Sequence, residues 1–410
     1  MMTSRIVGLV LLAGLLLGGL GGCNQTSKQA ANAVTLYNIG EYPQSAAAMK
    51  PETEKKDENF VLNNCRYGSA ALAAGQNAEA ENAFMAAYEV INGVNTNNGG
   101  RTLGATLVFE GVKVWKGEPF ERAMAHYYLG LAFLQKGDYE NARSAFQNSL
   151  FKLREYAKES KESKDKDVYK PFESNFALGY FGLGFSYLRL GKPDQAEACF
   201  KQTVSLDPRL APLVHDVQQP GVNTLIFVDA FSGPKRAAKG WYNEESAFGP
   251  TPAEVGPLGP VNVTADGQAI TKETQRYNLV DTLAMAQDQK WQDIDTIRKT
   301  KAVIGTGAMA AGAGVAGYGA SRGDAGMALA GVGVMALGAA LAASSQADLR
   351  YWEMLPRTTY VIPAALAPGE HEIHVMVAGA GQTAAAKVVV NAPDPAKGPS
   401  DTVVYVRILR

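Results

Sequence analysis

Four histidines and three cysteines are the side chains here best suited to bind a metal, move a proton or act as nucleophile. His371 and His374 lie three apart in a run that reads as a strand. Side chains alternate along a strand, so the two rings point to opposite faces and share no metal. His126 and His215 have no ligand partners at useful spacing. Cys65 and Cys199 form no C-x-x-C pair and fall on helices two repeats apart, beyond the roughly 7 Å Cα reach of a disulfide. They read as buried free thiols. No H-E-x-x-H or phosphate-binding loop occurs. The GAGVAG run (312–317) has glycines spaced as in a nucleotide loop, but no strand precedes it and no charged partner follows. Small-residue helix packing is the better reading. No catalytic residue, metal or cofactor is assigned, and the expectation is a protein that is not an enzyme. Net charge is −1, which gives no basic field for nucleic acid.

The third cysteine, Cys23, carries a different chemistry. Arg5 supplies a positive start, Ile6–Leu17 an apolar stretch, and Leu20-Gly21-Gly22-Cys23 follows. Small residues before a Cys at the end of a short apolar segment resemble a bacterial lipobox. An ordinary cleaved signal peptide is the plainer alternative. The lipobox implies removal of residues 1–22 and acylation of Cys23, palmitate included. Several acyl chains anchor far more firmly than one. Asn24, rather than Asp, implies sorting to the outer membrane, on its periplasmic face. Residues 23–30 read as a linker.

The elements that follow divide in two. Over 31–215 one helical pattern repeats. Gly68, Gly130 and Gly184 are each followed twelve positions later by Ala80, Ala142 and Ala196, and after four more by Phe84, Phe146 and Phe200. Gly75, Gly137 and Gly191 sit at the turns between. A weaker first copy holds Gly40, Tyr42 and Met49. The pattern resembles the tetratricopeptide repeat: small residues let two antiparallel helices approach, and the aromatic fills the gap. Gly68 and Gly130 are 62 residues apart, and Gly130 and Gly184 are 54 apart, against a regular period of about 34. The extra residues read as a loop over 92–104 and a charged helix extension over 152–170. Stacked pairs of this kind form a concave groove that holds a protein segment, here an envelope protein or peptide.

Over 216–410 the period shortens. Strands are expected at 223–229, 260–264, 268–271, 357–362, 371–378, 385–391 and 402–409, with loop over 236–260 and helix over 277–301. The product is a small antiparallel β-sandwich, interrupted by an insertion at 277–347. Within it, Ala302–Ala320 and Ala325–Ser344 carry no charge and consist largely of Gly and Ala. They read as a helical hairpin, each arm long enough to cross or deeply enter a bilayer. Small residues recur at four-residue spacing, as in a glycine zipper. Gly307, Ala308, Ala311, Gly312, Ala316, Gly319, Gly331 and Gly338 are the candidate contacts to membrane or to other copies of the chain. Packing of the hairpin on protein is the alternative. The fold class is therefore α+β, an N-terminal α-solenoid followed by a β-sandwich carrying a Gly/Ala hairpin.

Further residues carry a resemblance: GEPFER (117–122), VDAFSGPK (228–235), Val280-Asp281, KTK (299–301), ADLRYWEMLP (347–356) and APGEHEIHV (367–375). Together with the hairpin they resemble a family of bacterial outer-membrane lipoproteins with tetratricopeptide repeats. The resemblance implies envelope localisation, no known catalysis, and a link to cell-wall assembly through relatives encoded near regulators of peptidoglycan synthases. This chain departs from the family at Phe231-Ser232, where the family keeps Gly earlier in the turn. Two functions follow as expectations. The first is a lipid-anchored scaffold that binds a protein partner. The second is a subunit of an oligomeric pore or transport complex built from the hairpins.

Overall fold

The computed structural model describes residues 26–93, 114–159, 175–239, 245–250, 258–287, 308–343, 348–379, 382–394 and 401–409. Cys23, the 302–307 part of the hairpin and most of the two long insertions in the repeats lie outside them.

Four helix pairs come first: α1 (Lys28–Asn38) with α2 (Tyr42–Met49), α3 (Phe60–Ala73) with α4 (Asn77–Asn92), α5 (Pro119–Gln135) with α6 (Tyr139–Glu159), and α7 (Ala177–Arg189) with α8 (Pro193–Leu206). A short α9 (Ala211–Val217) ends the series. The repeated glycines do what their spacing predicts. A Cβ at Gly68, Gly130 or Gly184 would stand 2.7, 2.8 or 2.9 Å from the ring of Phe84, Phe146 or Phe200. The turn glycines, Gly40, Gly75, Gly137 and Gly191, all hold positive φ, which a side chain would strain.

The second half contains two four-stranded sheets and a hairpin. The first sheet orders as β10 (Thr402–Ile408), β1 (Thr224–Ser232), β7 (Pro356–Ala364) and β6 (Asn278–Asp281). The second orders as β5 (Gln268–Ala269), β4 (Leu258–Ala265), β8 (Gly369–Gly379) and β9 (Gln382–Ala392). Strands β2 (Lys235–Lys239) and β3 (Glu245–Gly249) pair with each other. Two faces of β1 are buried. Ile226 and Val228 lie on the side of the buried valines of the second sheet, while Phe227 and Asp229 lie on the side of the helices. The first sheet is thus the middle layer, between repeats and second sheet.

Three expectations are corrected. The sandwich is not wholly antiparallel, because β1 and β10 run parallel, Thr224 opposite Thr402 through Ala230 opposite Ile408. Residues 278–281 of the expected 277–301 helix form a strand on β7. Leu279 and Val280 are both buried there, and a four-residue strand with two apolar residues cannot be told from a helix start by period alone. A helix, α10 (Thr282–Ala286), follows, capped by Asp281 Oδ1 on the Leu283 and Ala284 amides. The expected loop at 236–260 contains β2 and β3, whose KRAAK and ESAFG lack an alternating pattern.

The two histidines of β8 go separate ways, as their spacing requires. The His371 ring lies between Asp266 Oδ2 and the Ala367 carbonyl, each at 2.7 Å, and these acceptors raise its pKa. His374 meets Glu372 Oε1 at 2.6 Å. Among the described residues no cluster of His, Cys, Asp or Glu could hold a metal ion.

Candidate functional site

The first helix of each pair lines the inner face of the repeats, and that face is covered by the chain's own second half. Residues 348–355 lie across α3 and α5. Arg350 donates to the Glu58 carbonyl at 2.9 Å and to Asn59 Oδ1 at 3.2 Å, and pairs with Asp348 at 2.7 Å. Trp352, 1% exposed, donates from its indole to Ser69 Oγ at 3.1 Å and lies against Phe84 and Tyr128. Glu353 takes a bidentate pair from Arg66, which is itself buried. Trp115 Nε1 donates to the Arg350 carbonyl.

The start of α5 explains the run GEPFER. Glu118 caps the helix reciprocally with Glu121, and Pro119 takes the first helical position, where its missing N–H costs nothing. Glu118 also binds Arg236 of β2 at 2.6 Å, and Phe120 meets Phe248 of β3 edge-on at 5.1 Å. Glu121 is fully buried. Its two oxygens accept the Glu118 and Trp352 amides, each at 2.7 Å. Burial pushes its carboxyl up to about 8 against the pull of those amides. A carboxyl raised on folding holds a proton that the unfolded chain releases between its ordinary value and 8. Stability from this group is therefore present at low pH and falls as pH rises through that window. Asp229, raised by burial, acts in the same direction. Urea unfolding is expected to show declining stability from about pH 5 to 8, and Glu121→Gln is expected to flatten part of that decline.

Deeper in the same contact sits a network around Asp229. Its carboxylate accepts from Tyr128 at 2.5 Å, Thr359 at 2.5 Å and Tyr405 at 2.9 Å. Arg407 lies alongside on β10. It donates to Tyr37 Oη, to the carbonyls of Asp229 and Ile408, and to the Phe231 carbonyl at 2.8 Å. Phe231 holds φ at 60°, the left-handed region, which glycine adopts without the strain a side chain brings. GEPFER, VDAFSGPK and ADLRYWEMLP thus meet at one junction between repeats and β half. Sequence reading found the residues but assigned them no role, since nothing local says that distant runs touch.

This changes the expectation of a partner in the repeat groove. The aromatic and charged residues of that face are engaged in cis. Helices α4, α6 and α8, on the outer side, keep exposed positions such as Asn82, Gln147 and Glu197.

The hairpin is the second candidate surface. Its arms are α11 (308–321) and α12 (Ala325–Ala343). Gly323 turns the chain with positive φ, and Asp324 Oδ1 caps α12 on the Met327 amide. The arms touch backbone to backbone. A Cβ at Gly312 would stand 2.4 Å from Met335 N, at Gly319 2.5 Å from Ala328 N, and at Gly331 2.2 Å from Ala316 N. Between Ala310 and Leu337 these three glycines alone are buried. The expected contact residues Gly312, Ala316, Gly319 and Gly331 therefore form a seam inside one hairpin, not a free face. Ala308 is half-buried and Ala311 exposed. Gly307 lies outside the described residues, and Gly338 lies within α12 but outside those whose burial is described. The outward side chains are Val315, Tyr318, Met327, Leu329, Val334 and Leu337, from 39% to 68% exposed. Among the described residues no helix is long and apolar enough to cross a membrane, against the expectation for the two arms. Gly331→Leu is expected to force the arms apart and raise protease cleavage within the hairpin several-fold, leaving the repeats folded by circular dichroism.

Two stretches match models of the tetratricopeptide repeat, residues 120–158 and 177–210. The chain carries tetratricopeptide repeats. No curated protein matches it. Among solved structures, the crystal structure of MamA is 17% identical with a TM-score of 0.29, covering 43% of this chain and 74% of its own. A second crystal structure of MamA protein is 17% identical with a TM-score of 0.30, covering 46% and 76%. The APC/C hetero-tetramer Cut9-Hcn1 is 15% identical with a TM-score of 0.22, covering 51% and 38%. Likenesses at such scores carry no argument about this chain's work. Tetratricopeptide repeats are a protein-binding architecture, generally without catalysis of their own.

Proposed function

We propose that this protein is a non-enzymatic scaffold, anchored by acylated Cys23 on the periplasmic face of the outer membrane, that binds a protein partner in envelope or cell-wall assembly. The observation that carries the reading is the tandem array of tetratricopeptide repeats, two of them matched by family models. Because the inner face is engaged by residues 348–355 and the first sheet, the partner docks on the outer helices α4, α6 and α8. The test is in-cell photo-crosslinking from Gln147 on α6 and from Gln195 and Ala198 on α8. One recurrent protein adduct from these positions supports the scaffold. No adduct from any of them sinks it. Cys23→Ser is expected to abolish incorporation of labelled palmitate into the protein, and undiminished labelling removes the lipid anchor from the reading.

The exposed apolar hairpin favours a second reading, in which many copies assemble into a pore or transport complex. That reading requires a defined oligomer in detergent and conductance across a planar bilayer. A monomer that conducts nothing excludes it.

A further inference from the structure

The hairpin leaves its apolar side chains uncovered. Among the described residues, the shielding from Ala310 to Leu337 comes from the opposite arm, with Ala316, Ala328, Val332 and Met335 half-buried beside the three seam glycines. On α12 the seam takes 328, 331, 332 and 335, one helical face. Outside it, Met327, Leu329, Val334 and Leu337 point in other directions around the same helix, and all are exposed. Neither arm carries a charged residue outside the turn.

A protein-docking face is apolar at its centre, ringed by polar groups, and confined to one side. This surface has no polar ring and runs round the pair. A helix apolar on every side belongs in a core or in lipid, and the described residues supply no core for it. Both arms are helical, so their backbone polar groups are paired internally, as an acyl environment requires. Four of the small residues expected to join copies, Gly312, Ala316, Gly319 and Gly331, are already in contact within one chain. The tip charges are held locally. Arg322 stacks over the Tyr318 ring at 4.7 Å, and Asp324 caps α12.

From this geometry we infer that the hairpin enters the acyl layer of a lipid bilayer from one side, as a preassembled pair. Its glycine seam stays closed inside, and Val315, Leu329, Val334 and Leu337 meet lipid. The inference deepens the envelope reading above and rests on it only for the presence of a membrane.

The test reads the environment position by position, so it does not depend on any protein partner or on the Cys23 anchor. The full acylated chain, with Cys65 and Cys199 replaced by Ala, takes a spin label at Leu329→Cys, Leu337→Cys or Ile39→Cys. Ile39, 69% exposed on the repeats, is the reference. In phosphatidylethanolamine–phosphatidylglycerol vesicles, labels at 329 and 337 are expected to gain several-fold in collisions with oxygen and to lose collisions with a water-soluble nickel chelate. The label at 39 is expected to change in neither. Nickel access at 329 and 337 equal to that at 39 overturns the proposal. So does dipolar broadening between labels in the absence of lipid, which would make a second copy the occupant. In an unacylated Cys23→Ser chain, Leu329→Glu with Leu337→Glu is expected to weaken vesicle co-sedimentation at least tenfold. Both positions are exposed, so circular dichroism is expected to stay unchanged. Undiminished binding by that folded double variant also overturns it.

Discussion

Arg407→Met is expected to lower the unfolding free energy by about 3–5 kcal/mol, as removal of one member of a buried charged network does. Arg407 is 6% exposed, and its guanidinium donates to three backbone carbonyls and one phenol. Methionine fills much of the volume but donates nothing. The Asp229, Phe231 and Ile408 carbonyls would then be buried without this donor, and the Asp229 carboxylate would lose the cation that opposes its burial. Lysine keeps the charge but cannot reproduce the planar fork, so Arg407→Lys is expected to fall between. Denaturant titration followed by circular dichroism measures both. A loss under about 1 kcal/mol for the methionine variant would mean that the network is dispensable.

Trp352→Ala comes next, with an expected loss of about 3–5 kcal/mol for a buried indole replaced by a cavity. Its consequences reach further than a core substitution usually does. The indole sits where β half and repeats meet, between Phe84 of α4 and Tyr128 of α5. Removing it is expected to expose residues 348–356 to limited proteolysis before any repeat helix is cut. Trp352→Phe keeps most of the ring packing and leaves Ser69 Oγ without the indole donor, an expected loss of about 1 kcal/mol. If the alanine variant melts in one step with no early cleavage at this segment, the contact does not hold the two halves separately from the global fold.

The repeats were legible because their spacing is a local code. Gly68 with Phe84 and Gly130 with Phe146 are read sixteen positions apart on neighbouring helices, and the same pairs touch in the fold. Strands β1, β7, β8, β9 and β10 were legible from period and turn residues. The parallel pairing of β1 with β10 was not, since no sequence signal relates residue 224 to residue 402. Strand β6 was lost to a helical reading because four residues, only two of them apolar, are too few to show a period. In the hairpin, the small-residue rows were found but their direction was not. Four-residue spacing says that a face is smooth, and only the fold says that Gly312 and Gly331 face each other within one chain. The junction was hidden most completely. Glu121 and Trp352 are 231 positions apart, and neither type nor spacing announces a bond between them.

The placement of β10 sets an order of assembly. Strand β1 follows directly after the last helix, yet both of its neighbours in the sheet, β7 and β10, arrive more than a hundred residues later. Until residues 402–408 have emerged, Asp229 has neither Tyr405 nor Arg407, and Tyr37 on the first helix lacks its cation. The repeats can fold early from local contacts, while their inner face stays open to water and to chaperones. Folding of this protein is therefore expected to divide into a fast helical phase and a slow closing phase, with the second timed by delivery of a single late strand.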